Sequence, residues 1–477
     1  MTLAARTLQA QRRQRVAILG GGFSGAAVAL HLADAIPVSS VEIVVFEPRA
    51  ELGRGLAYDS LDPAHRINVP AARMSLFPDR PLDFEEWLAE HDAVANDPAA
   101  RRADGSLFPQ RRVFGTYVAS RLKPHLDAGR IVHRRTMVAG VRRSGDGWVI
   151  TDEHGDETRA DFVVIATTHP APQPPRHLQA RLAGHPRYVA DPTLPNALAA
   201  IRPDDRVLIV GNGLTAADVV ASLVLTGYRG SILSLSRRGL RSRGHAPEPQ
   251  EPFGDFAISP AKSAAALLHH VRRTLTQAET AGIGWHAVLD QVRAQGRTIW
   301  QALSMTERRR IVRHLRPFWD AHRFRVAPQV EDVLDRAIAE NRLKILAGSI
   351  QDVTRDGDDI LATFRPRGCA PETARFDAVV VTTGPAHGAI LNSQPWLNQL
   401  ARDGWLTADP AGLGIACNDQ SESLGRDRAA EATLLIAGPL ARGTFGELMG
   451  LPQVSEHAVF VAGQLQSKLV AHQICKP

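Results

Sequence analysis

Residues 16–30 read VAILGGGFSGAAVAL, and this stretch decides the fold of the first part of the chain. A short apolar run, a glycine-rich turn and a row of small residues are typical of a strand, a tight turn and a helix that bind a dinucleotide. Glycine lets the backbone approach a pyrophosphate, and the helix N-terminus offers unpaired N–H groups to its negative charge. The cofactor contacts predicted in this turn are Gly20, Gly22, Phe23, Ser24 and Gly25.

The next predicted strand, residues 41–47, ends in an acid, Glu47. A carboxylate at this point accepts hydrogen bonds from ribose hydroxyls and repels a 2′-phosphate, which predicts FAD or NAD. FAD is favoured because a polar, glycine-containing loop follows and would reach a larger cofactor. In that loop Arg54 is predicted to face the pyrophosphate. Asn68 is predicted at the edge of the flavin ring, as a cofactor contact and a catalytic candidate; the alternative is a side chain that caps a turn.

A second stretch of the same kind, VLIVGNGLTA, occupies residues 207–216. The strand predicted after it ends in Arg237 and Arg238 instead of an acid. A guanidinium suits a 2′-phosphate through charge-assisted hydrogen bonds, so this site is predicted to prefer NADPH over NADH. The alternative is a pair of arginines that simply face solvent. The other contacts predicted here are Gly211, Gly213, Leu214 and Thr215.

Composition narrows the class of protein. Hydrophobic residues make up 44% of the chain and charged residues 22%, and the net charge is only +6. Arginine is spread along the sequence without a long basic run, so no nucleic-acid partner is expected. The first apolar run leads straight into the glycine turn and does not fit a signal peptide or a membrane span, so a cytoplasmic location without a membrane partner is expected. Cys369, Cys417 and Cys475 are far apart, which argues against a redox disulfide, and no metal site is predicted.

The order of these segments predicts an α/β protein with two Rossmann-like dinucleotide-binding domains. We expect an FAD-binding domain in two parts, residues 14–170 and 385–477, interrupted by an NADPH-binding domain, residues 171–384. The proline-rich stretch 170–175 would be the linker between them. Residues 250–340 contain helical spacing and no strand-like runs, which predicts a helical insertion in the NADPH-binding domain.

The insertion carries tryptophan, histidine and arginine side chains, for which two interpretations stay open. One is a small helical packing unit with its aromatic residues in the core. The other is a cap over the flavin that shapes a substrate pocket. Four of its side chains would then bind an acidic or polar substrate: His314, His322, Arg323 and Arg325. Of these, His322 and Arg325 are the catalytic candidates. His314 and His322 are not predicted to bind a metal, because Pro317 interrupts the helix between them.

Several motifs resemble, in order and over nearly the whole chain, the bacterial FAD/NAD(P)-binding proteins of the YdhS type. The layout is more distantly similar to class B flavin-dependent monooxygenases, in which an NADPH domain interrupts an FAD domain. The resemblance implies a last core strand over residues 434–439, with Gly438 at a turn facing the flavin; Val138 is a further predicted FAD contact. The motifs that carry it are GGGFSG, GRGLAYDSLDPAHRINVPAARMSLFPD, DFEEWL, FPQRRVFGTY, VGNGLTAADVV, SLSRRGL and WDAHRFRVAP.

The chain departs from these families at two places. Thr168 stands where they usually have glycine, and residues 445–454 differ from their C-terminal pattern, so the substrate or the chemistry is expected to differ. The fingerprint of Baeyer–Villiger enzymes, FxGxxxHxxxW, is absent.

Together these features predict an FAD-dependent NADPH oxidoreductase. The resemblance favours a monooxygenase that transfers oxygen from O₂ to an N, S or C centre of a small molecule through a flavin peroxide. Two alternatives stay open: an NADPH-flavin reductase or dehydrogenase without oxygen transfer, and a nucleotide-binding sensor without turnover. The oligomeric state is not predicted.

Overall fold

The computed structural model describes residues 13–37 and 40–474. Its first segment alternates apolar strands with helices and also contains a separate group of three strands. The elements in chain order are β1 (Gln14–Leu19), α1 (Phe23–Ala35), β2 (Val41–Phe46), α2 (Gly55–Tyr58), α3 (Asp83–Glu90), α4 (Arg111–Asp127), β3 (Ile131–Arg134), β4 (Val138–Ser144), β5 (Gly147–Asp152), β6 (Glu157–Ala160) and β7 (Phe162–Ile165).

The middle segment repeats the strand–turn–helix pattern and carries a long helical run. Its elements are α5 (Arg176–Leu182), β8 (Tyr188–Val189), β9 (Val207–Val210), α6 (Leu214–Leu225), β10 (Ile232–Ser236), α7 (Ala264–Thr280), α8 (Trp285–Ala294), α9 (Gly296–Ala302), α10 (Met305–His314), α11 (Arg316–Arg323), α12 (Pro328–Ala339), β11 (Leu343–Asp356), β12 (Asp359–Pro366), β13 (Glu372–Phe376) and β14 (Ala378–Val381).

The last segment contains α13 (Pro395–Arg402), β15 (Glu422–Leu424), β16 (Ala430–Ile436), α14 (Arg442–Phe445) and α15 (Gln453–Ile474). Short 3₁₀ helices occupy Ala71–Arg73, Pro98–Ala100, His387–Asn392 and Gly438–Ala441.

The first and last segments build one sheet with the strand order β15-β16-β7-β1-β2-β3. Strand β16 lies parallel to β7, so the chain returns to the sheet after the middle segment, as the sequence predicts. The apolar residues of β1 and the whole of β7 are buried, because helices cover one face of this sheet while strands β4–β6 and α13 pack on the other. Helix α15 packs along α1 on one of these faces.

The middle segment forms a second sheet with the order β13-β12-β11-β10-β9-β14-β8. Its core strands β9, β10, β11 and β14 are parallel, as in a Rossmann unit. Helices α7 to α12 lie between β10 and β11, where the sequence predicts the insertion. The last of them, α12, packs on α6 beside the sheet and leads into β11, so it acts as the crossover helix of the Rossmann unit.

The mixed α/β fold with two mainly parallel sheets, each with antiparallel strands at one edge, is thus the predicted one. None of the helices in the described ranges combines the length and the apolar character that crossing a bilayer requires.

Candidate nucleotide and substrate sites

The first turn, residues 20–25, needs glycine at both ends for steric reasons. Gly20 has φ +100°, and a Cβ there would lie 2.7 Å from the carbonyl oxygen of Ala166. A Cβ on Gly25 would lie 1.9 Å from the carbonyl oxygen of Gly20, because α1 packs directly against the end of β1. Gly25 therefore serves helix–strand packing, the role of the third glycine in such turns.

A cavity of about 510 Å³ opens beside this turn, where β1, β2 and β7 reach their carboxyl ends. We call it the first-turn cavity. Ligands of open α/β sheets bind at this edge, so its position agrees with the prediction of a nucleotide site. Three predicted contacts, Gly25, Asn68 and Gly438, are not among its lining residues. The predicted contacts that do line it are Gly20, Gly22, Phe23, Ser24, Glu47, Arg54 and Val138.

Glu47 directly follows β2 and presents a fixed carboxylate to the cavity; its exposure is only 4%. One carboxylate oxygen accepts the N–H of Gly21 at 3.0 Å. The other accepts the backbone N–H of Arg49 at 3.1 Å and its guanidinium at 3.0 Å. The oxygen that accepts the Gly21 N–H keeps a lone pair for a ribose hydroxyl, whereas the other oxygen already accepts two hydrogen bonds. Arg49 also lines the cavity and was missed by the sequence analysis, because nothing in the local pattern distinguishes it from a surface arginine.

Arg54 lies where the cavity meets α2. Its guanidinium pairs with Glu51 and donates to the Thr116 hydroxyl at 3.3 Å. The backbones of Gly22 and Gly55 approach each other here: a Cβ on Gly22 would lie 3.4 Å from the Gly55 Cα. The predicted pyrophosphate contact by Arg54 stays a prediction, and its position on the cavity wall is compatible with it.

Asn68 is not one of the residues that line the cavity. Its backbone carbonyl accepts a hydrogen bond from His245 Nε2 at 3.1 Å, which links the loop to the segment before the insertion. A role at the flavin edge stays a prediction without support from this geometry. A better-placed polar group is Thr167, just after β7: it lines the cavity, and its buried Oγ1 has no hydrogen-bond partner among the described residues.

Gly438 ties the returning chain to the first turn. With φ +66° it lies in the left-handed region, and a Cβ there would lie 2.3 Å from the Ser24 Oγ. Its N–H donates to Nδ1 of His457 at 3.2 Å, so the neutral imidazole carries its proton on Nε2, which contacts the Ser421 hydroxyl at 3.0 Å. His457, on α15, therefore positions this turn, and the sequence pattern gave no signal for it.

Protonation of His457 should destabilise the fold in acid. Burial, followed by the charge of Arg297, lowers the pKa of His457 to about 3. The unfolded imidazole has a pKa of about 6.5, so stability is highest above that pH and falls as the pH drops toward the folded value. At pH 5 the expected loss from this group is about 2 kcal/mol. Urea unfolding of wild type and His457→Gln between pH 7 and 5 measures it; equal pH slopes for the two proteins would contradict the assignment.

The second turn, residues 211–216, is built like the first. Gly211 has φ +124°, and a Cβ there would lie 2.5 Å from the carbonyl oxygen of Thr382. A Cβ on Gly213 would meet open space at the start of α6, where the predicted contacts Leu214 and Thr215 also lie. The Asn212 amide donates to the Ser236 hydroxyl at 3.0 Å and so joins the turn to the end of β10.

The predicted arginine pair follows β10 directly. Arg237 is exposed, and the Arg238 guanidinium lies over the ring of Phe318, 5.2 Å from its centroid. A small cavity of about 20 Å³ lies beside the turn, lined in part by Asn212 and Gly213. This volume is far below that of a dinucleotide, so the small cavity itself does not enclose NADPH.

His322 and Arg325 are not at the first-turn cavity. Arg325 forms a bidentate ion pair with Asp290, at 2.9 and 3.1 Å, and lies over the ring of Trp285. His322 packs edge-on against the same tryptophan, and its Nδ1 lies 2.7 Å from the Phe318 carbonyl oxygen. Their catalytic role stays a prediction, and these contacts favour the packing interpretation.

Arg325→Ala should therefore destabilise the protein. The side chains of Arg325 and Asp290 are 10% and 16% exposed, and removing one partner of a buried pair costs about 3–5 kcal/mol. His322→Ala, which removes a more exposed group, should cost less than about 1 kcal/mol. Thermal melts with flavin spectra test both variants. An Arg325→Ala protein with unchanged melting and flavin content would instead support the catalytic interpretation.

Other insertion side chains do reach the FAD-binding part of the chain. The indole N–H of Trp300 donates to the Gly443 carbonyl oxygen at 2.8 Å, and that of Trp319 donates to Glu447 at 3.2 Å. The insertion therefore covers the segment between β16 and α15, whose residues Met449, Gly450 and Leu451 line the first-turn cavity.

The described cysteines have no redox partner. Cys369 is exposed and Cys417 buried, both as free thiols, and burial raises the pKa of Cys417 to about 12. Cys475 lies outside the described residues.

Comparison with known proteins agrees with the geometry of the first glycine turn and its cavity. Residues 17–170 match the family model of FAD-NAD(P)-binding proteins, so this segment is an FAD/NAD(P)-binding unit. No curated protein sequence matches the chain.

Solved structures resemble it over nearly its whole length. They include ornithine hydroxylase from Pseudomonas aeruginosa in reduced form, with 14% identity, a TM-score of 0.64 and coverage of 96% of this chain and 99% of that one. L-lysine 6-monooxygenase from Pseudomonas syringae has 18% identity, a TM-score of 0.62 and the same coverages. The complex of Kutzneria sp. 744 ornithine N-hydroxylase with reduced FAD, NADP⁺ and L-ornithine has 15% identity, a TM-score of 0.63 and coverages of 97% and 99%. At these identities the likeness shows a shared fold: that of two-domain flavin monooxygenases.

Proposed function

We propose that this protein is an FAD- and NADPH-dependent monooxygenase that acts on a small molecule. The observation that carries the proposal is that one chain contains two glycine turns, and that the strand after each turn ends in a residue of different charge. The first strand ends at an acid, Glu47, and the second at a basic pair, Arg237 and Arg238. A scaffold that binds both FAD and NADPH can pass a hydride from NADPH to the flavin.

The residues around the first-turn cavity fit FAD. Gly22 has no side chain that would fill the cavity at the end of β1. The backbone N–H groups at the start of α1 would bind the pyrophosphate. Glu47 would hold the ribose hydroxyls. Thr167, with its unpartnered hydroxyl, offers a hydrogen bond farther along the cavity. Bound FAD would supply the redox chemistry, accepting hydride and reacting with O₂.

The chain's own contribution would be to bind, orient and shield. Arg237 and Arg238, which follow β10, would hold the 2′-phosphate of an NADPH bound at the second turn. Strands β7 and β14 are each followed by an extended segment that connects the two nucleotide domains. The segment after β7 contains Thr167–His169 and Pro172, and Pro172 forms a β-bridge with Pro385 in the segment after β14. The insertion, through Trp300 and Trp319, would close the site on the side of the C-terminal segment and limit access of water.

The structurally similar proteins support a monooxygenase that acts on an amine. The similar structures described above are ornithine and lysine hydroxylases or monooxygenases, one of them an ornithine N-hydroxylase, so a nitrogen centre is the proposed target among N, S and C. The two departures noted in the sequence, Thr168 and residues 445–454, both lie at or beside the first-turn cavity and give a reason for a different substrate. Assignment to the YdhS-type family and to the cytoplasm stays part of the proposal.

The experiment that tests this function separates it from a reductase. Holoprotein reduced with NADPH without oxygen is mixed with O₂, and O₂ consumption, H₂O₂ release and return of the oxidised flavin spectrum are followed together. A monooxygenase should consume O₂ before the oxidised spectrum returns. Simultaneous O₂ consumption, flavin reoxidation and H₂O₂ release would favour the reductase, and absence of NADPH oxidation would favour the sensor.

A further inference from the structure

Four arginines converge where the insertion meets the segment between β16 and α15. We call them the arginine cluster: Arg293, Arg316, Arg323 and Arg442. Two acids, Asp320 and Glu447, pair with two of these arginines, whereas Arg293 and Arg442 form no ion pair with the described residues. Asp320 accepts from Arg316 at 3.1 Å, and Glu447 pairs with Arg323. Three of the arginines are nearly buried, with exposures of 8% for Arg442 and 9% for both Arg293 and Arg323. Such a surplus of buried charge is costly unless an anion neutralises it.

Arg442 is the clearest sign of a missing partner. Within the described part of the chain its guanidinium has no ion pair, and its buried Nη1 has no hydrogen-bond partner. Burial, together with the charge of Arg316, lowers the pKa of Arg442 to about 10, while Asp320 and Glu447 act in the opposite direction. Nη2 of Arg323 is also buried and unpartnered. A buried charged group without a partner destabilises the folded protein, and a bound anion would remove this cost.

The cluster borders the first-turn cavity. A Cβ on Gly450, which lines that cavity, would lie 3.4 Å from the unpartnered Nη2 of Arg323. His169, which also lines the cavity, is affected by two members of the cluster. Burial, followed by the charges of Arg442 and Arg316, lowers the pKa of His169 to about 4. Nη2 of Arg323 therefore lies next to the cavity wall at Gly450, and Arg442 lies within electrostatic range of the cavity wall at His169.

The cluster is separate from the proposed NADPH phosphate site. Arg316, Asp320 and Arg323 are spaced by four and three residues along α11 and share one face of that helix. Phe318, which contacts Arg238, lies two residues from Arg316 and Asp320 and therefore points to the opposite side. Helix α11 thus stands between the two basic sites, which argues for different anions at each.

We propose that the arginine cluster binds the carboxylate of the substrate, with Arg442 and Arg323 as its direct partners. A carboxylate matches the paired N–H groups of a guanidinium and would balance the surplus charge. This inference rests on the proposed function, because it assigns the cavity end beside the cluster to the substrate of that reaction. It predicts an acid-bearing small molecule as the substrate class.

The test uses FAD-loaded protein and succinate as the probe, with the neutral succinamide as its matched control. Succinate should perturb the flavin spectrum saturably and raise the melting temperature, whereas succinamide should do neither. Arg442→Gln and Arg323→Gln should each weaken succinate binding at least about tenfold. Arg442→Lys should keep part of the affinity. The control variant Arg313→Gln removes an exposed arginine of the neighbouring α10 and should bind succinate normally.

Other outcomes overturn the inference. They are equal binding of succinate and succinamide, no binding by wild type, binding of inorganic phosphate in place of succinate, or an Arg442→Gln protein that keeps succinate affinity but loses NADPH affinity. If Arg442→Gln does not fold, the comparison of succinate with succinamide on wild type decides. Reduction of the flavin by NADPH is measured in parallel without any acid: if it fails, the proposed function is wrong, and if it persists without succinate binding, only this inference is wrong.

Discussion

A Gly22→Val protein is expected to fold and to purify without FAD. Gly22 lines the first-turn cavity, and a Cβ there already lies 3.4 Å from the Gly55 Cα. The two γ-methyl groups of valine would extend into the space that the pyrophosphate needs. No buried packing is lost, because Gly22 precedes α1 and its side of the turn faces the cavity. The ratio of flavin absorbance to protein absorbance measures the effect, and we expect nearly complete loss.

The matched control is Gly213→Val in the second turn, where a Cβ meets open space. This protein should keep its flavin and lose affinity for NADPH. A Gly22→Val protein with full flavin occupancy would show that the first turn does not hold the pyrophosphate. Gly25→Ala is unsuitable for this test, since its Cβ would collide with the Gly20 carbonyl oxygen and disturb the fold itself.

Replacing Arg237 and Arg238 by alanine should raise the KM for NADPH by a factor of about 10–150, with little change for NADH. Loss of a hydrogen bond to a charged phosphate costs about 1.5–3 kcal/mol, which gives this range. The single variants should differ. Arg237 is exposed and free to follow the phosphate, whereas Arg238 is held over Phe318 and is already oriented.

Initial rates with both nucleotides measure this preference. Arg367→Ala, which removes an exposed arginine elsewhere in the same domain, is the control and should leave both KM values unchanged. Equal increases for NADPH and NADH in the double variant would mean that the pair attracts the nucleotide by charge without reading its 2′-phosphate.

Local sequence pattern was sufficient for the parts of the fold that depend on short-range sterics. The two glycine turns, Glu47 after β2 and the arginine pair after β10 are each defined by a few neighbouring residues. The return of the chain as β16 beside β7 followed from the resemblance and from an apolar run, and the structure has it in that place.

Long-range contacts limited the rest of the prediction. Asn68 and Thr167 are both polar residues near glycine or alanine, and only the tertiary packing places Thr167 on the cavity wall and Asn68 beside His245. His457 and Arg442 reach their sites from helices far along the chain, so their spacing carries no motif. Helix α12 resembles the other insertion helices in sequence, and its packing on α6 alone assigns it to the Rossmann unit.

The central claim is that one chain binds both nucleotides and passes hydride between them. The most direct measurement is anaerobic mixing of the yellow FAD-loaded protein with one equivalent of NADPH, followed by the visible flavin absorption band. We predict that the band bleaches with NADPH and much more slowly with NADH at equal concentration. A band that persists with both nucleotides while FAD remains bound would contradict the account.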